Sequence, residues 1–546
     1  MMRNKQNKGR SRPTEVKLTY NFIAFHNMML KAMLLMVFVF KSVSPIAQVV
    51  EPSRIEIAAR IDVPSYQKVL LGENGFLLFF ESTDLSEEGK KKWYFTLYDT
   101  NFQEQWVQNV AVTNGWVCAA TTTSSNQAMF LFTNMEGRKS EKAGYELLKF
   151  NLRESRFQLL GGGLPEKAKI VGFASIDNRV LLGVNLDKFQ SDLLLYDMDR
   201  FTVNSLPHGI QNQTIIQNIT ADTVSKQFLV SFKSFESKRF KEEVFQIYDI
   251  RGRQMISVPL ATSPYFLHSY LLSAEQKGTL VAIGSYDNSE GRSNKITETA
   301  DQDALTFTSK GLFFIRITAN GVQVQRYHPF EGFTNIYKAL SKDDLMRTQQ
   351  RQARSREKPS RDEIVFQFYK PRLQSIGKNY LFAAEAFKPQ YRIETRMDYD
   401  FYGRLSPFTY SIFEGYNFFS GLIAGFDKQG NLLFSNDVEL RDVMLQRLQS
   451  VVDVFSDSTD IVAAFVKKGV ITSKVMNHNG KEIGQIEQTK VENTFSNDRV
   501  TEENYSEISW WYGNNFLVSG YQRITNNRLR SQNPRNVFYL QKMLLE

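Results

Sequence analysis

The side chains that could do chemistry in this chain are few and scattered. Its five histidines, His26, His208, His268, His328 and His478, lie far apart and none stands at metal-binding spacing from another. Each therefore reads as a satisfied surface residue without the partners that metal or acid–base chemistry requires. The single cysteine, Cys118, sits between Gly115-Trp116-Val117 and Ala119-Ala120. Those flanks predict a buried strand residue, and one thiol can build neither a disulfide framework nor a thiolate metal cluster. The chain has no HExxH pair, no Gly-x-Ser-x-Gly elbow and no Gly-x-x-x-x-Gly-Lys phosphate loop; each of these would place a specific reaction on a specific turn. Gly161-Gly162-Gly163 runs into Leu-Pro rather than a helix, so it reads as a turn between repeat units and not as a phosphate cradle. Asp287, Glu290, Asp301 and Asp303 share one loop that could hold calcium. The loop lacks the alternating oxygen ligands of an EF-hand and its glycine falls at the fifth position, so an ordinary solvated hairpin is expected. No catalytic residue, metal ligand or cofactor site is spelled out.

Two segments remain as candidate interaction surfaces. The first, Thr334 to Asp362, has a weak helical start followed by a basic run containing Arg347, Arg351, Arg354, Arg356, Lys358 and Arg361. Such runs usually mark a solvated face, and as a functional element this one would dock on anionic lipid headgroups, lipopolysaccharide or an acidic partner. The second, Gln390 to Gly415, is rich in Tyr, Phe and Arg. Tyr391, Tyr399, Tyr402, Phe408 and Tyr410 are its candidate platform for stacking against a sugar or peptide, with packing over the end of the fold as the alternative.

The elements that must position these segments are repeated. A strand end, a turn and a strand restart recur as YDTNFQEQW at Tyr98, FNLRESRFQ at Phe150, YDMDRFTVN at Tyr196, YDIRGRQMI at Tyr248, ITANGVQVQ at Ile317, FDKQGNLLF at Phe426 and MNHNGKEIG at Met476. The base period is near 50 residues. Four copies carry Gly at the fifth position and four carry Asp at the second, which identifies these aspartates as turn formers rather than catalytic carboxylates. Strand-like runs such as Gly75 to Phe80, Trp93 to Tyr98 and Arg179 to Val184 precede the turns. Four strands per period is the pattern of a propeller blade. The expectation is an all-β fold: a single β-propeller of about eight four-stranded blades, with seven as the alternative count. The last unit lacks an outer strand, and Arg54 to Ile61 alternates without belonging to a complete unit. Pairing the two would close the ring and leave no bare sheet edge.

Composition places the chain. Of the formal charge of +9, about +7 lies between Met1 and Ala47, which leaves about +2 elsewhere. That is too little for a nucleic-acid footprint. Ala32 to Phe40 is nine apolar residues, far short of the roughly 20 that span a bilayer. With Lys31 before it and the small residues up to Ala47 after it, the run reads as a signal-peptide core. The expected organisation is a leader over 1–47, its signal peptide at about 28–47, then a propeller over 48–546 with insertions at 334–362 and 390–415. The protein is expected to be exported, periplasmic or associated with the outer membrane with an extracellular location as the alternative, and with no transmembrane helix in the mature chain; peripheral membrane contact stays open.

The repeated turns followed by Trp or Phe, clearest in YDTNFQEQW and FDKQGNLLF, resemble the blades of exported bacterial β-propeller proteins of an uncharacterised family. The resemblance is architectural and covers about 490 residues. It lacks the Trp-Asp blade ends of WD-repeat proteins, the Gly-Gly pairs of kelch repeats and the tryptophans of quinoprotein dehydrogenases, so it carries over no functional residue. The function expected from the sequence is a non-enzymatic cell-envelope binding or scaffold propeller that holds a protein or glycan partner. The alternative is a polysaccharide-active propeller hydrolase or lyase with two or more carboxylates at the central pore.

Overall fold

The computed structural model describes residues 53–545 apart from 125, 135–143, 188, 238, 263, 289–304, 306, 334, 336–365, 400, 458 and 527–533. The expected leader and the basic run from Arg347 to Arg361 lie outside the described residues. The rest forms eight four-stranded sheets, a β-propeller of eight blades. In chain order the first seven span Tyr66 to Val112, Trp116 to Gly163, Lys169 to Leu206, Gln213 to Leu260, Tyr265 to Pro329, Gln367 to Leu445 and Val452 to Lys490. Blade 8 runs from Asp498 to Leu544 and takes its fourth strand from Arg54–Ala58. Eight is therefore the blade count, not seven.

Why the chain adopts this arrangement is visible within one blade. The second strand lies between neighbouring sheets on both faces and opens with an apolar run, as in Phe76–Leu85, whose first four residues are all buried before the strand turns polar at Glu81. The third alternates: in Lys91–Tyr98, Trp93, Phe95 and Leu97 point inward. The outermost strand is mostly solvated, and Glu482–Lys490 is exposed along its whole length. A single sheet cannot bury such faces alone. Accordingly the described residues form eight apolar clusters, one at each junction between neighbouring blades.

The repeated turns work as their composition predicts. Asp99 Oδ1 accepts the backbone N–H groups of Asn101 and Gln103, both at 2.9 Å. Asp249 does the same for Arg251 and Arg253, and Asp427 for Gln429 and Asn431. These carboxylates are consumed by turn geometry. Two readings need correction. Gly161-Gly162-Gly163 is not a turn but the end of the outermost strand of blade 2, Arg156–Gly163; a Cβ at Gly162 would stand 2.1 Å from the Tyr145 hydroxyl, so the missing side chain makes room for that ring. His268 is buried rather than superficial, with Nε2 3.0 Å from the Thr308 carbonyl.

Ring closure joins the two ends of the propeller chain. Arg54–Ala58 runs antiparallel to Arg535–Leu544, with Ile55 opposite Leu540 and Ile57 opposite Phe538. The buried Arg54 guanidinium donates to Gln522 Oε1 at 2.8 Å and to the Glu492 carbonyl at 2.9 Å, and lies 4.4 Å over the Tyr539 ring. Trp511 Nε1 donates to the Gly75 carbonyl at 3.0 Å, tying blade 8 to blade 1. The stretch beginning at Arg54 is thus the latch that the repeat pattern called for.

Candidate functional site

Two places stand out once the ring is built: an arm on blade 6 and a cavity on the axis. The arm arises because the middle strands of blade 6, Asn379–Tyr399 and Leu405–Phe426, are about twice the length of their counterparts. The first strand of the blade stops pairing at Phe387 and the fourth at Tyr416. From Tyr391 opposite Phe413 to Tyr399 opposite Leu405 the two strands pair only with each other among the described residues. Nine paired residues per strand at about 3.4 Å each make an arm roughly 30 Å long.

Alternation divides this arm into two chemically distinct faces. One carries Tyr391, Ile393, Thr395, Met397 and Tyr399 opposite Phe413, Ser411, Thr409, Pro407 and Leu405. It contains no charge. The other carries Arg392, Glu394, Arg396 and Asp398, and these neutralise one another: Arg392 and Arg396 each reach Glu394 at 2.6 Å, while Tyr410 donates to Asp398 at 3.0 Å. The two arginines hold the Glu394 carboxyl below its usual range. The uncharged face is open to solvent, with Ile393 72% and Tyr399 71% exposed, and Phe401 at the tip is 98% exposed.

The five residues proposed as one aromatic platform are therefore not brought together. Tyr391 and Tyr399 lie on the uncharged face, Phe408 and Tyr410 on the charged one, and Tyr402 in the tip. The residues that complete the apolar face, Ile393, Met397 and Leu405, escaped sequence reasoning. Their signal was the strict alternation of YRIETRMDY, read as aromatic richness instead of as strand periodicity.

On the axis, a cavity of about 420 Å³ is lined by Tyr66 and Lys68 from the first strand of blade 1, Lys370 from that of blade 6 and Glu507 from that of blade 8, together with Arg447. Lys68 Nζ bonds Glu507 at 3.0 Å and Ser519 Oγ at 2.9 Å. Burial pushes the Glu507 carboxyl up, but the Lys68 and Lys370 ammonium groups outweigh it and hold it below its usual range. The loop carrying Arg447 is pinned where it enters blade 7: buried Glu385 accepts Ser450 Oγ at 2.8 Å and the N–H of Val451 at 2.9 Å. Lys370 and Tyr505 both sit in β-bulges with positive φ, 44° and 53°. The bulges re-aim residues of the innermost strands. Glu507 is the only carboxylate among the described lining residues.

The described residues offer no cluster of three metal-ligating side chains and no helix long and apolar enough to cross a membrane. Cys118 lies in the strand Trp116–Ser124, and burial pushes its thiol up to about 12, so it is protonated at neutral pH. A larger groove of about 660 Å³ between blades 6 and 7 carries charges that pair off, Lys474 with Glu482 at 2.8 Å and Arg441 with Glu439 at 2.7 Å.

No protein-family model matches the chain, and no curated protein matches it. Among solved structures it is similar to prolyl oligopeptidase B from Galerina marginata, at 8% identity over 84% of this chain and 56% of that one, with a TM-score of 0.38. The β-propeller domain of the Trilobed protease from Pyrococcus furiosus matches at 8% identity over 79% of this chain and 98% of that one, with a TM-score of 0.33. A polysaccharide lyase matches at 8% identity over 89% and 100%, with a TM-score of 0.38. The chain spans a little over half the length of the prolyl oligopeptidases it matches. These likenesses carry no functional argument.

Proposed function

We propose that this protein is an exported binding or scaffold propeller of the cell envelope, and that it holds a protein partner through the arm of blade 6. The observation that carries the proposal is the uncharged face of the arm. A two-stranded hairpin has little stability of its own in water, and a contiguous exposed apolar surface on a folded domain usually marks an interaction site. The aliphatic side chains of Ile393, Met397 and Leu405 between the aromatic ones suit an apolar protein surface better than a sugar. The charged face is neutralised within the arm, so docking through the arm is expected to be insensitive to salt. The hydrolase reading has less support, because glycoside hydrolysis uses a carboxylate pair and Glu507 is the only carboxylate among the described residues lining the axial cavity.

The test replaces residues 391–413 by a short Asn-Gly turn, leaving the pairing inside blade 6 intact, and compares partners captured by cross-linking in envelope fractions. The shortened protein should unfold at the parent temperature and lose its principal partner. A double variant, Ile393→Glu with Met397→Glu, should weaken capture by at least roughly ten-fold, as expected for apolar anchors at the centre of an interface. An unchanged partner set in both would remove the arm from the function.

A further inference from the structure

The axial cavity has the features of a ligand site that the arm does not account for. Lys68 is satisfied by Glu507 and Ser519, at 3.0 and 2.9 Å. Lys370 and Arg447 line the same cavity, are exposed to it, and have no hydrogen bond or ion pair to a described residue. With three cations against Glu507, the lining carries a net charge of +2. Lys370, whose charge also acts on Glu507, and Arg447 face one half-open volume, where they focus positive potential and favour an anion.

The size and the remaining lining narrow the class. A volume of about 420 Å³ falls in the range for small organic ligands and far exceeds what an inorganic ion needs. Half-buried Tyr66, Tyr369 and Tyr505 supply ring surface around the cations, while the Tyr369 and Tyr505 hydroxyls donate to the Leu448 and Asp62 carbonyls; ring surface beside a cation suits the apolar face of a charged sugar ring. Both Lys370 and Tyr505 are held at positive φ by bulges of the innermost strands, and non-glycine residues kept in such a conformation cluster at binding sites. The backbone of the Arg447 loop is anchored a few residues on, where the buried carboxylate of Glu385 holds Ser450 and Val451, which lowers the cost of ordering the loop on binding.

We propose that the axial cavity binds an acidic sugar residue, its carboxylate held between Lys370 and Arg447 and its ring lying against the tyrosines. The site goes beyond the docking role of the arm and stands independently of it. Glu507 acts here as the counter-charge that fixes Lys68 and limits affinity, not as an acid or base.

Isothermal titration of the full chain with digalacturonate, neutral digalactose and inorganic phosphate tests the assignment. Digalacturonate should bind at least ten-fold more tightly than either of the others, and less tightly as salt rises. Lys370→Ala and Arg447→Gln should each weaken it roughly ten-fold, as for loss of a charged hydrogen bond. Arg447 is exposed, so its variant keeps the fold even if Lys370→Ala does not. Glu507→Gln should tighten binding several-fold by freeing Lys68, an effect that a purely structural carboxylate would not produce. Equal binding of digalactose, equal binding of phosphate, absence of binding by digalacturonate, or indifference to Arg447→Gln would each overturn the proposal.

Discussion

Four copies of the repeated turn place glycine at the fifth position, with φ between 72° and 96°, whereas the first copy places Phe102 there at φ 60°. The phenyl ring compensates by filling the junction of blades 8 and 1, 5.7 Å from Phe76 and 6.0 Å from Trp511. Left-handed strain costs about 1–2 kcal/mol, while emptying a buried phenyl site costs about 3–5 kcal/mol. Packing wins, so Phe102→Gly should destabilise the protein by roughly 2–4 kcal/mol in denaturant unfolding; a stabilised variant would show that strain dominates. A second residue sets the acid limit of the same region. Asp498 accepts a bidentate ion pair from Arg535, which also reaches Glu56 at 3.1 Å. Arg535 holds the Asp498 carboxyl below its usual range. A folded-state pKa depressed in this way adds stability that is complete above the unfolded-state value and is lost as pH falls through the folded one. Asp498→Asn should therefore cost about 1.5–3 kcal/mol at pH 7, with the difference from the parent shrinking as pH falls below the ordinary carboxylate range. A pH-independent difference between the two proteins would remove the ion pair from the account.

At the scale of elements, legibility followed periodicity. Turn and strand signals within about 50 residues are local, and the runs Gly75 to Phe80, Trp93 to Tyr98 and Arg179 to Val184 fall in strands apart from Gly75, which ends the turn before its strand. The Gly161-Gly162-Gly163 segment misled because glycine serves two physical ends, freedom of φ and room for a neighbour, and here Tyr145 needed the room. The arm was legible in composition but not in geometry. An insertion rich in aromatics suggests one cluster, whereas strand pairing sends alternate residues to opposite faces, so Tyr391 and Tyr410 could never share a platform. The axial cavity was not legible at all. Lys68, Lys370 and Glu507 lie on the innermost strands of three blades, hundreds of residues apart, and no spacing rule connects them until the ring is closed. The bulges that turn Lys370 and Tyr505 leave no sequence mark either, since lysine and tyrosine at positive φ break the usual preference.

For the whole molecule the decisive interaction is the one that makes a linear array of blades into a ring. Seven blades are continuous in the chain, and only blade 8 borrows a strand from the other end. Without Arg54–Ala58, the strand Arg535–Leu544 would present a bare edge, Ile55 and Ile57 would leave the cluster around Trp511 and Leu540, and Arg54 would leave Gln522, Glu492 and Tyr539 without their partner. Together these losses are on the order of 5 kcal/mol, and the freed edge is a template for aggregation. Covalent continuity is a separate matter from pairing. The Lys542 N–H donates to the Ser53 carbonyl at 2.8 Å, so a short turn after Leu544 can lead straight into Ser53 and run the strand back along its present register. A permuted chain that begins at Ala59 and carries residues 53–58 after such a turn should keep the thermal unfolding temperature of the parent. A chain lacking residues 53–58 should unfold at a clearly lower temperature and aggregate. If the two behave alike, the propeller is held by the contacts between its blades and the borrowed strand is incidental; if only the deletion fails, edge pairing is what fixes the geometry in which Lys68, Lys370 and Glu507 meet on the axis.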